Sequence, residues 1–177
     1  LLHQPFSDYY GAWHALEDLY KEGTVRAIGV SNFYPDQYMN LELAHEDKPA
    51  INQIEISPWF QQTNDVKFFQ GRDVAVEAWA QFANGKHDIF NNKVLKEIAE
   101  NHHKTVGQVI LRWLTQKSIV VIPKAVHDEH QKENINIFDF KLTQDEMAKI
   151  KELDKGESQF FDHRDPAAID NIFGESL

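Results

Sequence analysis

Short runs rich in β-branched and other apolar residues recur along the chain at residues 1–3, 25–30, 51–57, 74–79 and 119–123. Each is followed by a stretch with helical spacing, and this alternation constrains the fold more than any other feature. Runs such as Ser118-Ile119-Val120-Val121-Ile122-Pro123 place apolar residues at consecutive positions, the pattern of a parallel strand covered on both faces. The expected class is therefore α/β with a parallel sheet, either doubly wound or closed into a barrel. Between the first two runs, Tyr9, Trp13, Leu16 and Tyr20 form one helical face, with Glu17 and Lys21 expected to pair on the wet side and Gly23 to stop the helix. The segment from Thr105 repeats this logic with Val106, Ile110 and Trp113. Thr143 and Glu146 form a capping box, and Leu142 and Met147 a hydrophobic staple, predicting a helix over 144–154.

Composition narrows the function classes. At 177 residues and 42% hydrophobic, one domain spanning 1–177 with one core is the default reading. Against 18 basic residues stand 28 acidic ones, a net charge of −10, which disfavours nucleic acid and anionic membrane as partners. The absence of cysteine excludes a disulfide framework and a thiolate metal site, and fits a reducing, cytoplasmic setting. No apolar run approaches the roughly 20 residues of a membrane span. Neither a G-x-G-x-x-G nor a Walker A loop is present, which removes the usual nucleotide signals of an open sheet. Polar residues cluster just after the strand runs: His3 and Gln4, Ser31 and Asn32, Gln53, Gln81, Lys124. Barrel and open α/β folds both place their chemistry there.

The runs LLHQPFSDYYGAWHALEDLYKEGTVRAIGVSNF, NQIEISPWFQQ, VEAWAQFANG, VILRWL, VIPKAVHDEHQKENINIFDFKL and FFDHRDP together resemble the aldo-keto reductase family, above all its bacterial 2,5-diketo-D-gluconate reductase-like members. The resemblance implies a TIM (β/α)8 barrel that binds extended NADP(H) and passes hydride to the carbonyl of a small molecule. The -LLH- pattern matches the family's fourth strand, so the chain reads as the last five β/α units, a C-terminal helix and a loop. Its length agrees, since a whole barrel needs roughly 250 residues.

The resemblance also assigns roles. His3 matches the active-site histidine that orients or polarises the substrate carbonyl. Ser31, Asn32 and Gln53 match groups that hydrogen-bond the nicotinamide carboxamide, and Trp79 the aromatic that stacks on the nicotinamide ring. Ala80 and Gln81 depart from the family's usual Ser-Pro after that aromatic. Lys124 matches the phosphate-binding lysine, and Glu133 and Asn134 the pair near adenine. His130 stands at the position of an arginine that holds the 2′-phosphate; because histidine lacks a permanent charge, NAD(H) becomes a second cofactor to consider. Trp59, Phe160, Phe161 and Arg164 are expected to border the substrate pocket. No metal is expected: His127 and His130 lack a third convergent ligand.

His3 is the one member matched of a catalytic tetrad whose tyrosine, lysine and aspartate lie on the family's earlier units. The chain by itself is accordingly expected to be inactive, and marginal, oligomeric or aggregation-prone, because five strands cannot close an eight-stranded barrel. The full-length form is expected to be a monomer or weak dimer. A non-catalytic, cofactor-binding derivative is the alternative. All the cofactor contacts are expected to line one continuous groove.

Overall fold

The structure, a computed structural model, describes residues 1–173. Four parallel strands, β1 (Val30–Ser31), β2 (Ile51–Glu55), β3 (Ala75–Trp79) and β4 (Ile119–Val121), lie side by side in chain order. Between and after them run helices α1 (Tyr9–Lys21), α2 (Pro35–Ala44), α3 (Thr63–Gln70), α4 (Lys93–Asn101), α5 (Val106–Gln116), α6 (Asp128–Ile135), α7 (Gln144–Lys151) and α8 (Pro166–Phe173), with a kinked 3-10 segment over Ala83–Asn91. Every strand-to-strand connection is a crossover, as parallel pairing demands. Among the described residues no helix is long and apolar enough to cross a membrane.

The strands are shorter than the sequence runs. The expected first strand, 1–3, contributes a single bridge, in which the Leu2 N–H donates to Gly29 O at 2.9 Å and Leu2 O accepts from Ser31 N at 2.8 Å. The second run, 25–30, pairs regularly from Val30 onward; the third ends at Glu55, the fourth begins at Ala75 and the fifth stops at Val121. Close packing at this edge excludes a side chain at Gly29, where a Cβ would sit 2.4 Å from Ile51 Cγ2 and 2.7 Å from Ile51 O.

The two faces of the sheet differ. On one, Ile54, Val76, Ala78 and Ile119 are buried against helical residues including Trp13, Leu41, Phe69, Leu95, Ile110 and Trp113. The other exposes Val120 and Ile122, at 44% and 47%, and carries Gln53 paired with Glu77 across the ladder. The expectation of cover on both faces is thus met on one; on the second, Ser158 and Gln159 reach Glu55 while Val120 and Ile122 stay exposed.

Local sequence explains the helices. Asp8 caps α1, its Oδ1 accepting from Gly11 N at 2.9 Å, and Gly23, at φ +76°, ends the turn beyond it. Pro35 opens α2 at a position where the missing N–H costs nothing. Reciprocal capping boxes form at Thr105 with Gln108 and at Thr143 with Glu146. The helix expected over 144–154, α7, ends at Lys151. Glu17 departs from its expected role: it is 3% exposed and accepts from Asp47 N at 2.9 Å, while Lys21 pairs with Glu46. The reason lies next to it, since the Trp13 indole N–H donates to Asp47 O at 3.1 Å and pulls the 47 turn over α1.

Thr143→Ala removes one half of the α7 capping box and lowers stability by about 1 kcal/mol. The change is read as a reduced urea midpoint at unchanged slope.

Candidate functional site

The carboxyl ends of the strands lie on one side of the sheet, and His3, Gln4, Ser31, Asn32 and Gln53, five of the polar residues read from the sequence, gather there. In register, Ser31 lies opposite Gln53, Gln53 opposite Glu77, and Glu55 opposite Trp79. His3, Gln4, Ser31, Asn32, Gln53, Trp79, Phe161 and His163 line one cleft of about 640 Å³.

Asn32 is the organising residue. It follows β1 directly and takes a left-handed backbone, φ +60°, a conformation that asparagine tolerates better than most residues. Its own N–H donates to Gln53 O at 2.9 Å. Its side-chain amide donates to His3 O at 3.2 Å and Ser31 Oγ at 3.1 Å, and its Oδ1 accepts from the Trp79 indole N–H at 2.8 Å. Three strand ends and a ring plane are thereby tied to one buried amide. Both amide donors of Asn32 are spent within the protein and one of the two on Gln53 Nε2 goes to Glu77, so the carbonyl oxygens of both side chains retain acceptor capacity.

Trp79 packs against Phe160, centroids 5.2 Å apart, and edge-on to His163 at 6.3 Å. His163 also lies 4.2 Å from the Phe161 ring. Burial pushes the His163 imidazole below its ordinary range, against the pull of Asp162, and its Nε2 is buried without a partner. Gln4 Oε1 is in the same condition. Gln4 stands among the polar residues that the sequence places after the strand runs, though without a role; His163 was not singled out, and its signal was its place within FFDHRDP, beside the aromatic residues that were.

Glu55 was missed as well. It is 3% exposed, and its carboxylate accepts from Ser158 Oγ at 2.6 Å and Gln159 N at 2.9 Å, pinning the C-terminal segment over the strand ends. Burial pushes this carboxyl up from its usual range despite those hydrogen bonds and the Lys86 charge.

Lys124, His130, Glu133 and Asn134 meet in a second cleft of about 460 Å³, bordered by Phe82, Phe90 and the first turn of α5 at Thr105, Val106 and Gly107. Glu133 bridges this wall: Thr105 Oγ1 donates to its Oε1, and His130 Nδ1 lies 3.4 Å from its Oε2. Lys124, His130, Glu133 and Asn134 thus border a different cleft from His3, Ser31, Asn32, Gln53 and Trp79. Phe82, which follows the turn after Trp79, lines the second.

The substrate-pocket residues scatter. Phe161 lines the first cleft, and Phe160 lies behind Trp79 with Lys86 Nζ 4.2 Å above its ring. Trp59 is 5% exposed beneath Lys155, whose Nζ is 5.4 Å from the ring. It is held inward because its carbonyl accepts from Lys155 N at 2.8 Å. Arg164 sits in a third, acidic cleft of about 670 Å³, stacked 3.7 Å over Tyr34 and paired with Asp36 at 2.6 Å. That pairing turns it away from the first cleft. Burial pushes Tyr9 and Tyr38 up to about 12 and raises Tyr34 too, the direction opposite to that of a general acid working near neutral pH.

Polar and aromatic groups gathered at the carboxyl ends of parallel strands, with helices packed on one face, place the chain in the α/β class whose sites lie at strand ends. The chain belongs to the aldo/keto reductase family, whose profile it matches over residues 1–155. It is 44% identical to the glyoxal reductase of Bacillus subtilis over 158 residues, 89% of this chain and 56% of that one. It is 35% identical to the methylglyoxal reductase DkgA of Escherichia coli over 159 residues, 88% and 58% respectively. Among solved structures it resembles an aldo-keto reductase of Bombyx mori in complex with NADP, at TM-score 0.85 and 29% identity, covering 96% of this chain and 60% of that one. The chain spans about half the length of the curated relatives it matches.

A raised carboxyl binds its proton more tightly folded than unfolded, so the stability owed to protonated Glu55 is full below the ordinary glutamate range and is lost as pH rises through the folded value. Proteolysis within 157–163 should therefore accelerate as pH rises across that window. Glu55→Gln, neutral at every pH, should flatten the dependence.

Proposed function

We propose that the chain is the C-terminal set of β/α units of an NADP(H)-dependent carbonyl reductase that converts aldehyde or ketone groups of small molecules to alcohols. The observation that carries this reading is the convergence of His3, Ser31, Asn32, Gln53 and Trp79 on one cleft at the strand ends.

The residues suit a dinucleotide. At the first cleft, unpartnered Gln4 Oε1 and His163 Nε2, with the remaining acceptor capacity of Asn32 and Gln53, match an amide-bearing ring. At the second, Lys124 and the N-terminus of α5 supply positive charge and helix dipole for phosphate, on a protein that is acidic overall. His130, Glu133, Asn134 and the two phenylalanines border the same space and suit the adenine end. A bound nicotinamide supplies hydride.

The chain's own residues do the rest. Asn32 and Gln53 accept from the carboxamide and set the ring's rotation. Trp79, locked by its bond to Asn32, offers a flat surface that fixes which face is presented. His3, at the mouth of the cleft, donates toward the carbonyl oxygen, where negative charge develops. Phe161 and His163 narrow the approach and exclude water. Proton delivery falls to a tyrosine tuned by lysine and aspartate on units outside these 177 residues. The relatives named as glyoxal and methylglyoxal reductases point to short α-oxoaldehydes as substrates. The absence of cysteine supports a cytoplasmic setting, and we place the full-length form as a monomer or weak dimer.

Titrating NADPH and NADH into the chain while following tryptophan fluorescence tests this. Saturable quenching is expected, reduced in amplitude by Trp79→Phe and weakened about tenfold by Lys124→Ala, the worth of one charge-assisted hydrogen bond. Absence of quenching by either nucleotide refutes the reading. His130→Arg should raise the NADPH over NADH preference by a similar factor, and an unchanged ratio would show that residue 130 does not meet the 2′-phosphate.

A further inference from the structure

On the outer helical layer, away from both clefts, His14, Glu17 and His45 each bring one ligand atom to within 4.8 Å of the others. We propose that these three side chains bind a divalent transition metal of the zinc type, clamping α1 to the end of α2. Nothing in this inference depends on the reductase reading.

The spacing is that of a ligand set. His14 and Glu17 lie one turn apart on α1 and share a face. His14 Nδ1 stands 3.1 Å from Glu17 Oε2, close to the roughly 3.3 Å between neighbouring ligand atoms around a tetrahedral zinc with bonds of about 2.0–2.2 Å. His45 arrives from the C-terminal end of α2, its ring 4.5 Å from that of His14 and inclined at 61°.

The tautomer of His45 follows from its partner. Its Nδ1 is 2.9 Å from Leu41 O, and a carbonyl only accepts, so Nδ1 carries the hydrogen and the neutral ring holds its lone pair on Nε2. That Nε2 is buried and has no hydrogen-bond partner. A stranded acceptor is costly in a purely structural role, and it is what a ligand position requires. The bond from Nδ1–H to a backbone carbonyl is also the orienting contact typical of metal-bound histidine. Glu17 is arranged alike: Asp47 N–H occupies its Oε1, leaving Oε2 toward His14.

Two imidazoles and one carboxylate suit zinc, nickel, copper or ferrous iron, and suit poorly the magnesium ion, which prefers oxygen ligands. Three protein ligands leave a fourth position for water. Because the ligands come from two helices, metal binding stabilises their docking and adds to the stability of the folded chain.

The test titrates Zn2+, and separately Co2+, into the metal-free 177-residue chain. One equivalent is expected to bind, with a raised Tm for Zn2+ and a tetrahedral-type visible absorption band for Co2+. His14→Ala and His45→Ala each weaken binding at least about tenfold, whereas His127→Ala with His130→Ala leaves it unchanged. Glu17 is kept intact, since it also holds the Asp47 turn. As a readout without mutation, Zn2+ should protect His14 and His45 from diethylpyrocarbonate, scored by peptide mass. No stoichiometric Co2+ band, equal labelling with and without Zn2+, loss of binding with His127 and His130, or an equal effect of Mg2+ would each overturn the proposal.

Discussion

The indole N–H of Trp79 donating to Asn32 Oδ1 holds the cleft together. This one bond crosses from the end of β1 to the end of β3, over β2, and the same amide reaches back to His3. That reach depends on strand register, which the ladder from Ser31 through Gln53 to Glu77 fixes, placing the end of β1 two residues short of Trp79 on β3. The ladder in turn is held by the buried outer face, where Val76, Ala78 and Ile54 pack under helices. Core packing therefore acts on function through register, because a slip of one residue would carry Gln53 and Trp79 to the opposite face.

Glu55 extends this order to the C-terminal segment. Its position opposite Trp79 means that the carboxylate pinning Ser158 and Gln159 and the ring bordering the cleft belong to one cross-strand pair. The bond from Ser158 brings Phe160, Phe161 and His163 into contact with Trp79 or with each other. A buried carboxylate is tolerable here because two donors meet it directly.

The sequence was most informative where the physics is local. The capping box at Thr143, the apolar face of the helix from Thr105 and the parallel pairing of the strands all reappear in the structure, since each depends on residues a few positions apart, whereas of the α1 face Trp13 is buried and Tyr20 is left exposed. The polar strand ends were legible too, and the chain's resemblance to its family supplied their grouping. What stayed hidden depends on long-range partners. Glu17 reads as a solvated charge until the Asp47 turn is brought over it, and Arg164 reads as a pocket residue until Asp36 captures it. Glu55 and His163 carry no local sign of burial, because segments about 100 residues apart along the chain enclose them. Trp59 was misplaced for the same reason, its cover coming from Lys155.

The left-handed backbone at Asn32 has an evolutionary consequence. Few side chains tolerate that conformation, and glycine, the easiest replacement, would keep the turn while deleting the amide that joins three strand ends. Drift at this position can thus retain the shape without the chemistry, but hardly the chemistry without the shape. The bend and the amide are inherited together, and a descendant that loses the second through glycine would still fold as if it had kept both.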